Sequence, residues 1–117
     1  MKTIDAHELN DIMEREDDWV LLDVLPREHY EDEHVPGAHS IPLAEGGFVD
    51  QVRGVTESPD DKVIVYCANT ECELSPQAAR ALEDAGFTNV LDFEGGVEEW
   101  KSAGYEVASE IHEPLGS

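Results

Sequence analysis

Positive charge is scarce in this chain. Lysine and arginine number 7 against 28 aspartates and glutamates, a formal net charge of −21 over 117 residues. That imbalance argues against nucleic acid and against an anionic membrane as ligands, because both are held by cationic side chains. A basic partner protein stays open. Cysteine is scarcer still. Cys67 and Cys72 are the only two, too few for the disulfide framework of a small secreted domain. Such a pair in a cytosolic protein points instead to catalysis, redox chemistry or metal binding. A charged-then-apolar leader is missing, so no signal peptide is visible. The longest apolar runs, WVLLDV and VIVYC, fall far short of a membrane span. A cytoplasmic location is the expectation.

What is present argues for one folded domain, since a chain of this length can bury a core without staples. The acids are spread along the chain with hydrophobic segments between them, which is not the pattern of disorder. An acidic surface of this kind repels itself unless salt screens it, and the composition resembles that of a halophile's cytosolic protein. No repeat or low-complexity segment interrupts it.

Strand-like and helix-like segments alternate. TID (3–5) reads as a first strand or a cap, and Asp5 leads into AHELNDIMER, with Leu9, Ile12 and Met13 at helical spacing. DWVLLDV (18–24) is a continuous apolar run, as in a strand buried on both faces. PREHYEDEH (26–34) reads as a short helix with Pro26 in its first turn. VPGAHSIP (35–42) gives a Pro-Gly turn and a brief strand at 39–41. FVDQV is weakly helical. KVIVYC (62–67) is a second buried strand. Ser75-Pro76 predicts a helix start, Ser75 as N-cap and Pro76 as first residue. Ala78, Leu82 and Ala85 continue that helix and Gly86 closes it. NVLDF (89–93) is a third apolar strand, and EGGVEEWKSAG (94–104) a glycine turn and short helix anchored by Val97 and Trp100. The pattern predicts an α/β fold with a largely parallel central sheet covered on both faces.

Both cysteines lie in CANTECELS, between KVIVY and PQAARALEDAGF. Sites in parallel sheets form at the carboxyl ends of strands, where Cys67 stands. Free amides in the loop and the following helix N-terminus favour an anion there, so a Cys67 thiolate is expected to be stabilised. The alternative is a buried, inert thiol that packs as a small hydrophobe. A zinc site would need His34, His39 or His112 beside the cysteines, but the Cys-x4-Cys spacing is wide and there is no second cysteine pair. No Ser-His-Asp elbow and no phosphate-binding glycine loop is present. No metal and no cofactor are implied.

Taken together, LLDVLPREHYEDEHVPGAHSIPL, VIVYC and SPQAARALEDAGFTNVLDFEGGVEEWKSAGY resemble the signature of rhodanese-like domains over residues 3–107. The resemblance implies a three-layer fold with a five-stranded, mainly parallel sheet, in a domain at 1–108 with a tail at 109–117. It implies a sulfurtransferase that moves a sulfane sulfur from thiosulfate or a persulfide to a thiol acceptor through a persulfide on Cys67. Carried over by position, Cys67 is the nucleophile, Ala68, Asn69, Thr70, Glu71, Cys72, Glu73 and Ser75 form the active-site loop, and Asp23 either supports the site or caps a local turn. His34, Pro36, Gly37 and Ala38 match a structural turn.

Two departures stand out. Seven residues, ANTECEL, separate Cys67 from Ser75, a longer loop than the family's simple sulfurtransferases carry, and it lacks their closing Arg or Lys. Leu25 stands where an arginine often follows Asp-Val. Dianions such as thiosulfate, phosphate and arsenate recruit a guanidinium or ammonium, and Glu71 and Glu73 add the opposite charge. A neutral or protein-bound persulfide donor fits this loop better. Cys72 is a candidate resolving thiol, able to attack a Cys67 persulfide or to condense with an oxidised Cys67. Two other classes remain: a thiol–disulfide module using Cys67 and Cys72, and a non-catalytic module that presents its loop to a basic protein.

Overall fold

Apolar runs and amphipathic segments alternate in the computed structural model, which describes residues 2–109. In chain order the elements are β1 (Lys2–Ile4), α1 (Ala6–Arg15), β2 (Trp19–Asp23), α2 (Arg27–Asp32), β3 (His39–Ser40), a 3-10 turn (Leu43–Glu45), α3 (Phe48–Val55), β4 (Lys62–Tyr66), α4 (Leu74–Asp84), β5 (Val90–Phe93) and α5 (Gly96–Ser102). The five strands form one sheet in the order β1-β5-β4-β2-β3, and every pairing between them is parallel. The expected α/β fold with a five-stranded parallel sheet is therefore observed. Among the described residues no helix is long and apolar enough to cross a membrane.

The central strands β2, β4 and β5 are mainly apolar because both their faces are covered. Leu22, Val24, Val63, Val65 and Val90 point into a layer filled from α3 by Phe48 and Val52 and from α4 by Ala78, Ala79 and Leu82. Leu21, Ile64, Tyr66, Leu91 and Phe93 point the other way, against Ala6 and Leu9 of α1 and Val97 and Trp100 of α5. Successive strand side chains alternate faces. Cys67, directly after β4, belongs to the first layer with Val63 and Val65. Asp23 follows Leu21 onto the opposite layer.

Local chemistry fixes the helix ends. Asp5 caps α1 by accepting from the Glu8 amide at 2.8 Å, while the Glu8 carboxylate accepts from the Asp5 amide at 3.1 Å, a reciprocal capping box. Gly86, at φ 102°, closes α4 in the left-handed conformation, with the Phe87 amide returning to the Leu82 carbonyl at 3.0 Å. Two helix starts differ from expectation. Pro26 occupies the cap position of α2 rather than its first turn. The fourth helix begins at Leu74, with Glu73 at its cap position, so Ser75 and Pro76 are its second and third residues. Proline is tolerated there because the first amides of a helix have no intrahelical acceptor. Leu74 packs against the apolar layer, and that packing extends the helix one residue ahead of the serine.

The chain after α5 docks back on the fold as far as it is described. Tyr105 packs on Trp100 with ring centroids 4.5 Å apart and the rings tilted by 30°. Ala108 exchanges backbone hydrogen bonds with His34 at 2.8 and 2.9 Å. Most of the tail expected at 109–117, including His112, lies outside the described residues.

Candidate active site

Cys67 sits at the carboxyl end of the central strand β4 and is wholly buried. The loop after it is built around Asn69. Its carbonyl accepts from the Cys72 amide at 3.1 Å, and its side-chain oxygen accepts from the Glu71 amide at 3.0 Å. This Asx-type turn folds the chain back on itself, so that Cys72 lies over Cys67 as its disulfide partner, with Cα atoms 6.4 Å apart. That separation lies within the range a disulfide bridges. Cys72 is half-buried, while Thr70, Glu71 and Glu73 face solvent.

The amides of Ala68, Asn69, Thr70, Glu73, Leu74 and Ser75 have no acceptor among the described residues. Unspent backbone donors of this kind, beside a helix N-terminus, form an anion-favouring concavity. The carbonyls that begin the same loop are used. Val97 donates to the Cys67 carbonyl at 3.1 Å and Glu98 to the Ala68 carbonyl at 3.0 Å. The first turn of α5 thus clamps the start of the loop. Gly96, at φ 63°, permits it, because a Cβ there would run into the Cys67 carbonyl oxygen and lie 2.6 Å from the Ala68 carbonyl carbon. Asn69 adds a side-chain hydrogen bond to Glu98 at 3.3 Å.

The sequence marked EGG as a turn, but its clamping of Cys67 was not foreseen. A glycine pair says only that the backbone turns; what it approaches is set by the strand order.

Asp92 was also missed. Strand β5 places it beside Val65 and so on the Cys67 face of the sheet, wholly buried. Neither of its oxygens makes a well-formed hydrogen bond, and the buried Ser75 hydroxyl likewise lacks one. Burial pushes the Asp92 carboxyl above its usual range, the nearby Ser75 hydroxyl partly offsets this, and Glu94 adds to it. The one signal was an aspartate inside the apolar run NVLDF. Ser75 therefore faces a buried carboxyl instead of capping its helix.

Asp23 stands on the other face. Its Oδ1 accepts from the Leu25 amide at 3.0 Å, so it caps the turn that leaves β2. Burial pushes its carboxyl up to about 6, against the opposing effects of the Leu25 amide, the Tyr66 hydroxyl, His34 and His29. Tyr66 Oη accepts from the Val35 amide at 3.0 Å, and burial and Asp23 push its phenol up. It stays protonated, and the buried Asp23 Oδ2 beside it makes no well-formed hydrogen bond. Asp23, Tyr66 and Val35 thus bring together β2, β4 and the VPGA turn at the residue that precedes Cys67. In that turn, His34 stacks on Tyr30 at 3.8 Å, and Gly37 at φ 91° packs on Trp19.

Beside the loop lies a groove of about 300 Å³, lined by Leu25, His29, Asp32, Glu33, Ala68, Val97, Glu98 and Lys101. Lys101 is paired with Glu33 at 2.8 Å, which leaves the carboxylates of Asp32 and Glu98 to set its sign. No group of metal-ligating side chains with metal-site geometry occurs among the described residues, and His34 and His39 are held in the turn and in β3.

The profile of the family described as Rhodanese-like domain matches residues 5–103. The chain is 38% identical over 87 residues to HTH-type transcriptional regulator Rv0324 of Mycobacterium tuberculosis, covering 74% of this chain and 36% of that protein. It is 35% identical over 104 residues to adenylyltransferase and sulfurtransferase UBA4 of Meyerozyma guilliermondii, covering 85% of this chain and 23% of that one. It therefore spans well under half the length of these curated relatives. Among solved structures it is similar to the Alr3790 protein from Anabaena sp., with a TM-score of 0.81 and 32% identity over 93% of this chain and 94% of that one.

Proposed function

The chain belongs to the Rhodanese-like domain family, and from that premise we propose that it is a sulfurtransferase working through a persulfide on Cys67. The observation that carries this reading is the position of Cys67. It ends the central strand, its carbonyl is held by α5, and it opens a loop whose amides are unspent. A thiolate formed there stands in a loop of unspent N–H donors at the N-terminal end of α4, an arrangement that favours an anion and hence a persulfide. The sulfurtransferase named among its relatives supports the same class of chemistry.

The attack follows from that geometry. The Cys67 thiolate takes the outer sulfur of a persulfide donor, the donor leaves as a thiolate, and an acceptor thiolate later takes the same sulfur from Cys67. Donor choice follows from charge. The loop carries no lysine or arginine to hold a dianion, and Glu71 and Glu73 stand exposed on it. A low-charge or protein-bound persulfide is the favoured donor and thiosulfate a poor one. The acidic surface suits a cytoplasm of high salt, where potassium chloride screens the repulsion.

The test is sulfur transfer from glutathione persulfide to an acceptor thiol in high potassium chloride. The Cys67→Ser protein should fold normally and transfer nothing. Transfer by a folded Cys67→Ser protein contradicts the reading.

A further inference from the structure

The pairing of Cys67 with Cys72 assigns the loop a second activity. We propose that Cys72 resolves the Cys67 persulfide, releasing the carried sulfur as hydrogen sulfide and leaving a Cys67–Cys72 disulfide. This rests on the reading of Cys67 as the sulfur carrier.

The geometry is built rather than incidental. The Asn69 carbonyl and side chain hold the amides of Cys72 and Glu71, and the resulting turn sets the two Cα atoms 6.4 Å apart. The first residue of the pair is fixed from behind by Val97. Cys72 needs no large movement to reach the inner sulfur.

The step balances. Cys67 first takes a sulfane sulfur from a persulfide donor, which leaves as its thiol. The Cys72 thiolate then attacks Cys67 Sγ, the bond from Sγ to the outer sulfur breaks, and that sulfur departs with the electron pair and takes up protons as hydrogen sulfide. Two thiols are oxidised to a disulfide and one sulfane sulfur is reduced to sulfide. A dithiol reductant restores the pair. Burial directs its attack. In the disulfide form Cys67 is wholly buried beneath its partner and Cys72 only half-buried, so the incoming thiolate reaches Cys72 Sγ. Cys67 is then expelled as the thiolate that the loop amides favour, the better leaving group. The same chain thus acts as a carrier where an acceptor thiol arrives quickly and as a persulfide reductase where none does.

The experiment loads reduced wild type, Cys72→Ser and Cys72→Ala proteins with glutathione persulfide and desalts them into thiol-free buffer. Released sulfide and intact mass are followed together, and folding is checked by circular dichroism. Wild type should release stoichiometric sulfide and end as a disulfide lacking added sulfur, whereas both variants should keep the sulfur on Cys67. Added glutathione should then place its first mixed disulfide with oxidised wild type on Cys72. Wild type that holds its sulfur as long as the variants do overturns the resolving role while leaving the carrier intact. A reduced wild type that never takes up sulfur overturns the carrier reading and this one with it.

Discussion

Replacing Gly96 by alanine tests how the fold holds Cys67. Gly96 has φ 63°, and a methyl there would run into the Cys67 carbonyl oxygen and lie 2.6 and 2.8 Å from the Ala68 carbonyl carbon and oxygen. Two costs add. A residue with a Cβ in the left-handed region loses about 1–2 kcal/mol. The loop or α5 must also move, which sacrifices the Val97 and Glu98 amide bonds to Cys67 and Ala68 at about 1 kcal/mol each. The total is about 3–4 kcal/mol. Gly47 supplies the control, with φ 66° and nothing within 4 Å of a built Cβ, so its alanine variant carries the backbone cost alone. With a slope of about 2 kcal/mol per molar urea, the Gly96→Ala midpoint should fall by about 1.5–2 M and the Gly47→Ala midpoint by about half that. The displaced Cys67 should also load sulfur roughly tenfold or more slowly, as misplaced reacting groups do. Urea unfolding in high potassium chloride and single-turnover loading from glutathione persulfide read both effects. Equal midpoints for the two variants, or wild-type loading by Gly96→Ala, refute the clamp.

Reversing the two exposed loop charges with Glu71→Lys and Glu73→Lys should raise kcat/KM for thiosulfate by roughly tenfold, with the gain shrinking as potassium chloride is added; an unchanged value removes charge as the reason for donor choice. Asp23 ionises in the folded protein only near pH 6, against an ordinary value of 3.8, so its contribution to stability is full below about pH 4 and is lost as pH rises through 6. That contribution amounts to about 3 kcal/mol at 1.36 kcal/mol per pH unit. The Asp23→Asn protein should therefore show a flatter fall in stability across that window than wild type in parallel urea titrations. Tyr66→Phe removes the acceptor of the Val35 amide and should cost about 1–3 kcal/mol by the same urea measurement, loosening the VPGA turn.

The sheet was legible because it is buried on both faces. WVLLD, KVIVY and VLDF are continuous apolar runs, and no helix competes for them at that length. Helix α1 was legible from Asp5, whose capping box is local. What escaped depends on neighbours distant in sequence. Ser75 reads as a cap until Asp92 arrives from β5 to face it, and a buried carboxyl cannot be told from a solvated one without strand order. The EGG turn reads as a turn until α5 is folded against the start of the Cys67 loop. The spacing of Cys67 and Cys72 left their contact open, because four intervening residues can extend or fold back; the side chain of Asn69 decides for folding back. Asp23 was expected either to support the site or to cap a turn. It caps the turn after β2 and, on the far face of the sheet, reaches Cys67 only through the strand that Tyr66 shares with it.

The most direct test of the central claim is the location of the transferred sulfur. Reduced protein in high potassium chloride is given glutathione persulfide carrying a heavy sulfane sulfur, quenched by alkylation within the first turnover, and mapped by peptide mass. The account predicts one labelled sulfur on Cys67, absent from the Cys67→Ser protein and passed to an acceptor thiol before sulfide appears. A label found first on Cys72, or no label on a folded protein whose Cys67 is free, contradicts it.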